Sequence, residues 1–221
     1  LETTGIDVET ARIVSACAGI ASPKGWASRT WLLQQTEPIP AEATAIHGIT
    51  TEHANEHGVP AAKALPEIVG DLYRAWEHQM PVVGYNLVYD FTVLDRELRR
   101  HGFLPLEVRG PVLDPFVLDK DADPFRRGSR KLIDTAAHYG ISLSEEDAHG
   151  AEQDALTACR LAWKLGGTWV HLDAIHDSQV GAYRRQRESF AAYLEKQGKQ
   201  LDDDNRVWPL KPYPETVGAV A

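Results

Sequence analysis

Three carboxylates and one imidazole stand along this chain in settings where they can do chemistry. Glu2 heads Leu1-Glu2-Thr3-Thr4-Gly5, an acid between an apolar residue and a turn; Asp90 closes Gly84-Tyr85-Asn86-Leu87-Val88-Tyr89-Asp90; Asp154 follows His149 by five residues. Acids gathered from distant segments, with an imidazole beside the third, are what phosphodiester hydrolysis by paired divalent cations requires. Hard cations such as Mg²⁺ take oxygen ligands, and a pair of them stabilises the attacking and the leaving oxygen together. Each signal is weak alone. A Glu at a strand edge is usually just solvated, and an Asp in a helix's first turn is favoured by the dipole without further duty. His149 and Asp154 would point about 140° apart on one helix. With His149 on a loop and Asp154 in the first turns of a helix, both can face one cleft.

For these side chains to meet, separate strands and helices must end at that cleft. Ile13–Ile20 is an apolar run suited to a strand, and Arg29–Gln34 to a second, broken by Glu37-Pro38-Ile39-Pro40. A short helix is expected near Ala41–Ile46, followed by a turn at His47-Gly48. Leu65, Ile68, Leu72 and Trp76 recur at helical spacing, which predicts an amphipathic helix over Leu65–His78. Pro81-Val82-Val83-Gly84 reads as a buried strand leading into a turn at Asn86. Asp90 opens the next helix, with Phe91, Leu94 and Leu98 on one face and Gly102 as its stop. Val112-Leu113-Asp114 is a further short strand and Asp119–Arg130 a loop; Ser129 caps a helix through Leu132, Ile133 and Ala136 that ends at Gly140. From Trp169 to about Gly198 one long helix is expected. The alternation predicts an α/β layered architecture, with the motifs in residues 1–166 and a C-terminal long helix with an irregular tail in residues 167–221. Asp202-Asp203-Asp204 reads as solvated, and Trp208-Pro209-Leu210-Lys211-Pro212-Tyr213 as a tail packed back on the domain.

A chain of 221 residues suffices for one domain with a substantial core. A formal net charge of −9 argues against a large non-specific duplex-binding surface, which needs clustered Lys and Arg. It leaves room for a cation site, because the carboxylates that hold metal ions are acidic by necessity. Cys17 and Cys159 lie in apolar segments without ligand-like spacing and read as a buried thiol each, in keeping with a reducing cytoplasm. No apolar run approaches the ~20 residues that span a bilayer, so no membrane partner is expected.

Taken in order, Leu1-Glu2-Thr3-Thr4-Gly5, Ala45-Ile46-His47-Gly48-Ile49-Thr50, Gly84 to Phe91 and His149-Gly150-Ala151-Glu152-Gln153-Asp154 resemble the motifs of the DEDDh 3′–5′ exonucleases. This is the family of the proofreading epsilon subunit of bacterial replicative polymerase. The family begins its first motif Asp-x-Glu-Thr; that Asp falls immediately before Leu1, and the first strand is expected upstream of it. Tyr85 and Tyr89 depart from the family's Gly-His-Asn-x-x-Phe-Asp without touching the carboxylate. A histidine at position 149 matches the DEDDh branch rather than the branch that uses tyrosine.

The resemblance implies a ribonuclease H-like fold, a mixed sheet flanked by helices with a C-terminal helical extension. It implies an enzyme, a 3′–5′ exonuclease that releases nucleoside 5′-monophosphates from a single-stranded 3′ end, on DNA and in DNA repair. Glu2, Asp90 and Asp154 would hold two Mg²⁺ or Mn²⁺ ions, and His149 would activate water, a task that suits an ordinary pKa near 6.5. Thr3, Thr4, His47, Ile49 and Asn86 would surround the terminal nucleotide. Arg126, Arg127, Arg130 and Lys131 form a candidate phosphate-guiding patch, with a solvated basic loop as the plainer reading; Asp147 and Glu152 read as solvated. Two alternatives stand beside this. One is an RNA-trimming exoribonuclease of the same fold. The other is a catalytically dead nucleic-acid-binding or polymerase-docking module, with a polymerase or other protein partner reached through the C-terminal segment.

Overall fold

In a computed structural model, residues 1–142, 150–166, 171–201 and 206–214 are described. The first sheet runs β1 (Glu2–Thr3), β2 (Ile13–Ser22), β3 (Gly25–Leu32), both pairings antiparallel. The β2–β3 hairpin turns at Pro23-Lys24, with Ser22 opposite Gly25. Gly25 sits at φ 119°, a conformation open to glycine and hostile to a β-carbon. Gly19 is demanded by packing instead: a β-carbon there would lie 2.3 Å from the Trp26 ring.

The expected short helix is present as α1 (Ala41–His47), which ends where Gly48 turns left-handed at φ 74°. A second, α2 (Thr51–His57), follows directly, its first turn capped by the Thr50 hydroxyl accepting from the His53 N–H. The amphipathic helix α3 covers Ala61–Glu77, four residues more at its start than the apolar periodicity alone shows. β4 (Val82–Val83) pairs in parallel with β5 (Val112–Leu113), and between them α4 spans Leu87–Arg100. Asp90 therefore lies in the first turn of α4 but does not open it; Leu87 does.

α5 (Pro115–Ala122) occupies the start of the segment expected to be loop, so Asp119 is helical and fully buried. α6 covers Leu132–His138, entered from Lys131 rather than Ser129, whose hydroxyl accepts the Lys131 N–H. α7 (Ala151–Gly166) lies across β2, and α8 covers Leu172–Glu195.

One core joins these pieces. Ile13, Leu65, Phe91, Val112 and Val117 share it with Ala182 and Tyr183 of α8 and with Trp208 of the tail. α8 adds more than apolar area. Its fully buried Gln179 accepts the Asp114 N–H at 2.7 Å and donates to the Val112 carbonyl at 2.9 Å, satisfying β5 backbone that would otherwise be orphaned. The tail packs back on α4: Lys211 N–H donates to Thr92 Oγ1, Arg96 donates to the Pro212 carbonyl at 2.7 Å, and Tyr213 lies under the Arg99 guanidinium at 4.3 Å. The acidic triplet at 202–204 is outside the described residues. Among those described, no helix is long and apolar enough to cross a membrane.

Candidate active site

β1 is two residues long and sets Glu2 opposite Ser15 on β2. The chain then turns within hydrogen bonds of its own. Thr4 N–H donates to the Arg12 carbonyl at 3.0 Å, and Arg12 N–H donates to Thr4 Oγ1 at 2.9 Å. Thr3 Oγ1 donates to the Gly5 carbonyl at 2.9 Å and lies 2.5 Å from the Tyr89 hydroxyl, which also donates to that carbonyl. The phenol that departs from the family motif thus ties the first motif to α4, one residue before Asp90.

The second motif is shaped by sterics and by one buried acid. A β-carbon on Gly84 would meet Leu87 Cδ1 at 2.1 Å, so glycine lets the helix start fold back. Asn86 takes φ 59°, which asparagine tolerates better than most residues. Asp114 accepts the N–H groups of Asn86 (2.8 Å), Leu87 (2.9 Å) and Phe116 (3.0 Å), capping α4 and α5 from one carboxylate. Burial pushes Asp114 up to about 6 against the pull of these donors. Sequence reasoning gives Asp114 no role; its only signal is an acid directly before Pro115, a helix-start pattern. Tyr85, in place of the motif histidine, donates to the Arg130 carbonyl at 2.7 Å and meets Thr135 Oγ1 at 2.8 Å.

The third acid is placed by a different anchor. Glu152 is not simply solvated: Trp26 Nε1 donates to it at 3.0 Å and the Ser28 hydroxyl also binds it, holding its carboxyl below the usual range. This fastens the first turn of α7 to β3 and sets the exposed Asp154 two residues further on. His149 and Asp147 lie outside the described residues.

Glu2 feels the charges of the other two acids. Burial raises the Glu2 carboxyl to about 7, with the Asp154 and Asp90 carboxylates raising it further and the Leu1 ammonium opposing them. That ammonium donates to Asp90 Oδ1 at 2.8 Å. Burial disfavours its charge, yet Asp90, Glu2 and Asp154 together raise its pKa above the ordinary value. Among the described residues, no three His, Cys, Asp or Glu groups stand at ready-made metal-ligand spacing. The donor set itself, three carboxylates, is of the oxygen type that a hard divalent ion takes.

His47 lies against the Thr3 backbone, so the Ile-His-Gly turn does reach the first motif. Burial lowers its pKa; its Nδ1 accepts the Ile49 N–H at 3.1 Å, and its buried Nε2 has no hydrogen-bond partner among the described residues. Ile49 packs on a small second core of Val14, Ile39, Ala43 and Ala54. The basic patch is revised. Arg126 and Arg130 bind the buried Asp119 at 2.7 and 2.5 Å, with the Tyr139 hydroxyl at 3.0 Å, and are structural. Burial raises Asp119, but these three donors outweigh it and hold it below the usual carboxylate range. Arg127 and Lys131 remain exposed. Cys17 and Cys159 are free and half-buried, their thiols pushed up to about 11 chiefly by burial.

An α/β layered fold with acids in β1 and in the first turns of α4 and α7 has ribonuclease H-like architecture. Residues 1–162 match the model of the exonuclease family described as RNase_T, Exonuclease. The chain belongs to this exonuclease family. It is 31% identical over 169 residues to an uncharacterized exonuclease, CP81, of Escherichia phage 186, covering 72% of this chain and 80% of that one. It is 30% identical over 135 residues to a DNA polymerase III subunit epsilon-like protein of Rhodobacter capsulatus, covering 61% of this chain and 18% of that one. Among solved structures, the zinc-bound complex of E. coli exonuclease I with single-stranded DNA matches with a TM-score of 0.65 at 18% identity. The match covers 87% of this chain and 44% of the other. Exonuclease I of Methylocaldum szegediense matches at 0.61 and 20%, again over 87% and 44%. The chain therefore spans under half the length of these structural neighbours.

Proposed function

We propose that this chain removes nucleoside 5′-monophosphates successively from the 3′ end of a single strand, acting on DNA, with Glu2, Asp90 and Asp154 holding two Mg²⁺ or Mn²⁺ ions. The observation that carries this reading is the Glu2 carboxyl, pushed up to about 7 by burial and further by the Asp154 and Asp90 carboxylates, because acids crowded together in this way are suited to a metal. In a chain bearing the family's Asp before Leu1, a fourth carboxylate joins the set.

Bound divalent ions supply Lewis acidity and charge neutralisation at the scissile phosphate. The chain's own residues do the rest. His149 takes the proton from the attacking water on a ring nitrogen as the new P–O bond forms and the bond to the 3′ oxygen of the penultimate nucleotide breaks. Thr3, Thr4, His47, Ile49 and Asn86 surround the terminal nucleotide, with the unpartnered Nε2 of His47 able to bond to it. Single-stranded DNA in the exonuclease I complex supports the strand preference. Residues 1–166 form the catalytic domain and 167–221 a C-terminal segment that braces it through Gln179 and the tail. The epsilon-like relative supports a polymerase as a partner for that segment. The two free thiols support a cytoplasmic location.

Metal binding should be coupled to the proton on Glu2. With that carboxyl raised from 4.5 to about 7, an incoming ion must displace a proton below neutrality. The half-saturating Mg²⁺ concentration for nuclease activity should fall by up to ~10-fold per pH unit between about pH 5 and pH 7, then level off. Because the folded-state pKa is raised, Glu2 stabilises the metal-free fold fully below about 4.5 and loses that contribution as pH rises through about 7. Mg²⁺ titrations of initial rate at a series of pH values test this. A half-saturation point indifferent to pH would remove Glu2 from the metal set.

A further inference from the structure

Phe125 is 92% exposed on the loop between α5 and α6. A single exposed apolar side chain is ordinary, so its setting decides whether it matters. The setting here is built. The Phe125 N–H donates to Asp123 Oδ1 at 3.2 Å, and the flanking Arg126 and Arg130 are drawn inward to the buried Asp119. Arg130 also donates to the Asp119 carbonyl at 3.1 Å, and Gly128 reverses the chain at φ 98°. With alternate residues anchored beneath it, the loop holds Phe125 and Arg127 outward.

This loop is also fastened to the proposed site. The Arg130 carbonyl accepts the Tyr85 hydroxyl, and Tyr85 adjoins Asn86 at the turn that launches α4 and Asp90. Arg127 and Lys131, on the same loop, are exposed and make no ion pair among the described residues. Ile6, beside the first motif, and Ile46, beside His47, are also exposed but are aliphatic and offer no ring for a base to stack on. Leu104 follows the far end of α4, and Trp163 stands nine residues beyond Asp154 on α7, about 13 Å along the helix axis.

We propose that Phe125, with Arg127 and Lys131, forms a platform on which a base of single-stranded nucleic acid stacks as the strand leaves the cleft. This rests on the reading of the site as a nuclease centre. An aromatic face beside two unpaired cations matches the two parts of a single strand, since every base has a π-face and every linkage a negative charge. On a chain with a net charge of −9, such local cations are where a phosphate backbone can be held.

The test pairs binding with turnover. A fluorescein-labelled oligothymidylate of about twelve nucleotides is titrated with wild-type protein, Phe125→Ala, Phe125→Trp and the double variant Arg127→Ala/Lys131→Ala, first with chelator and then with Mg²⁺. Phe125→Ala should weaken binding and raise KM roughly 5- to 100-fold while kcat moves less than about twofold. Phe125→Trp should restore both. The double variant should weaken binding and flatten its salt dependence by about one logarithmic unit per unit logarithm of salt. A dinucleotide, which has no base beyond the two flanking the cleaved linkage, should show no such KM effect. Binding and KM indifferent to Phe125, or a loss that tryptophan does not rescue and the dinucleotide shares, would overturn the platform. Wild-type protein that binds the strand through Phe125 but never cuts it would leave the platform standing and sink the nuclease reading.

Discussion

Replacing Asp154 by Asn is expected to lower mononucleotide release by about 10³-fold or more while leaving the melting temperature unchanged or higher. The two effects have one cause. Asp154 adds negative charge to a site where Glu2 is already pushed up to about 7 by burial and by both neighbouring acids. Removing that charge relieves repulsion within the metal-free fold, a trade of stability for function common at active sites. The same change deprives a metal of a ligand and the reaction of several kcal/mol of charge stabilisation, each ~1.4 kcal/mol being a factor of ten in rate. Steady-state rates with saturating Mg²⁺ and a thermal melt on one preparation check both halves. A variant with near-normal rates would place Asp154 outside the chemistry, and one that melts far lower would make it structural.

His149→Ala should lower kcat by ~10²–10⁴-fold, the usual loss for a general base, while Mg²⁺ half-saturation and strand binding change little. An imidazole is suited to moving a proton; Mg²⁺ prefers oxygen. Wild-type kcat should fall at acid pH as the imidazole protonates, and the variant should lack that limb of its profile. The proton on Glu2 acts in the same pH range, so the profile must be taken at Mg²⁺ concentrations that saturate at every pH. Near-full turnover in the variant would require a different base.

The residues legible in the sequence are those whose identity is set by a local motif. Glu2 stands in a two-residue strand and Asp90 and Asp154 in the first turns of helices, each with distinctive flanks. Residues whose role is created by long-range packing were illegible. Asp114 looks like the end of a strand, yet its carboxylate gathers three amides from two helices. Glu152 looks solvated because its donors, Trp26 and Ser28, are more than a hundred residues away. Arg126 and Arg130 look like a phosphate patch because nothing nearby announces that Asp119 is buried beneath them. For the same reason α5 escapes the periodicity: its apolar signal is short, and the position that decides its packing is a charged one. Tyr89 is the opposite case, a departure from the family pattern whose hydroxyl acquires a partner in the Thr3–Gly5 turn.

The most direct measurement is product analysis from a single-stranded oligonucleotide labelled at its 3′-terminal nucleotide, incubated with Mg²⁺, with Mn²⁺ and with chelator. Nucleoside 5′-monophosphate released from the labelled end from the earliest times and abolished by chelator is the result the three-acid site requires; faster release from DNA than from RNA is the result the proposed substrate requires. A strand bound but left intact under all metal conditions, or label released first within longer fragments, would contradict it.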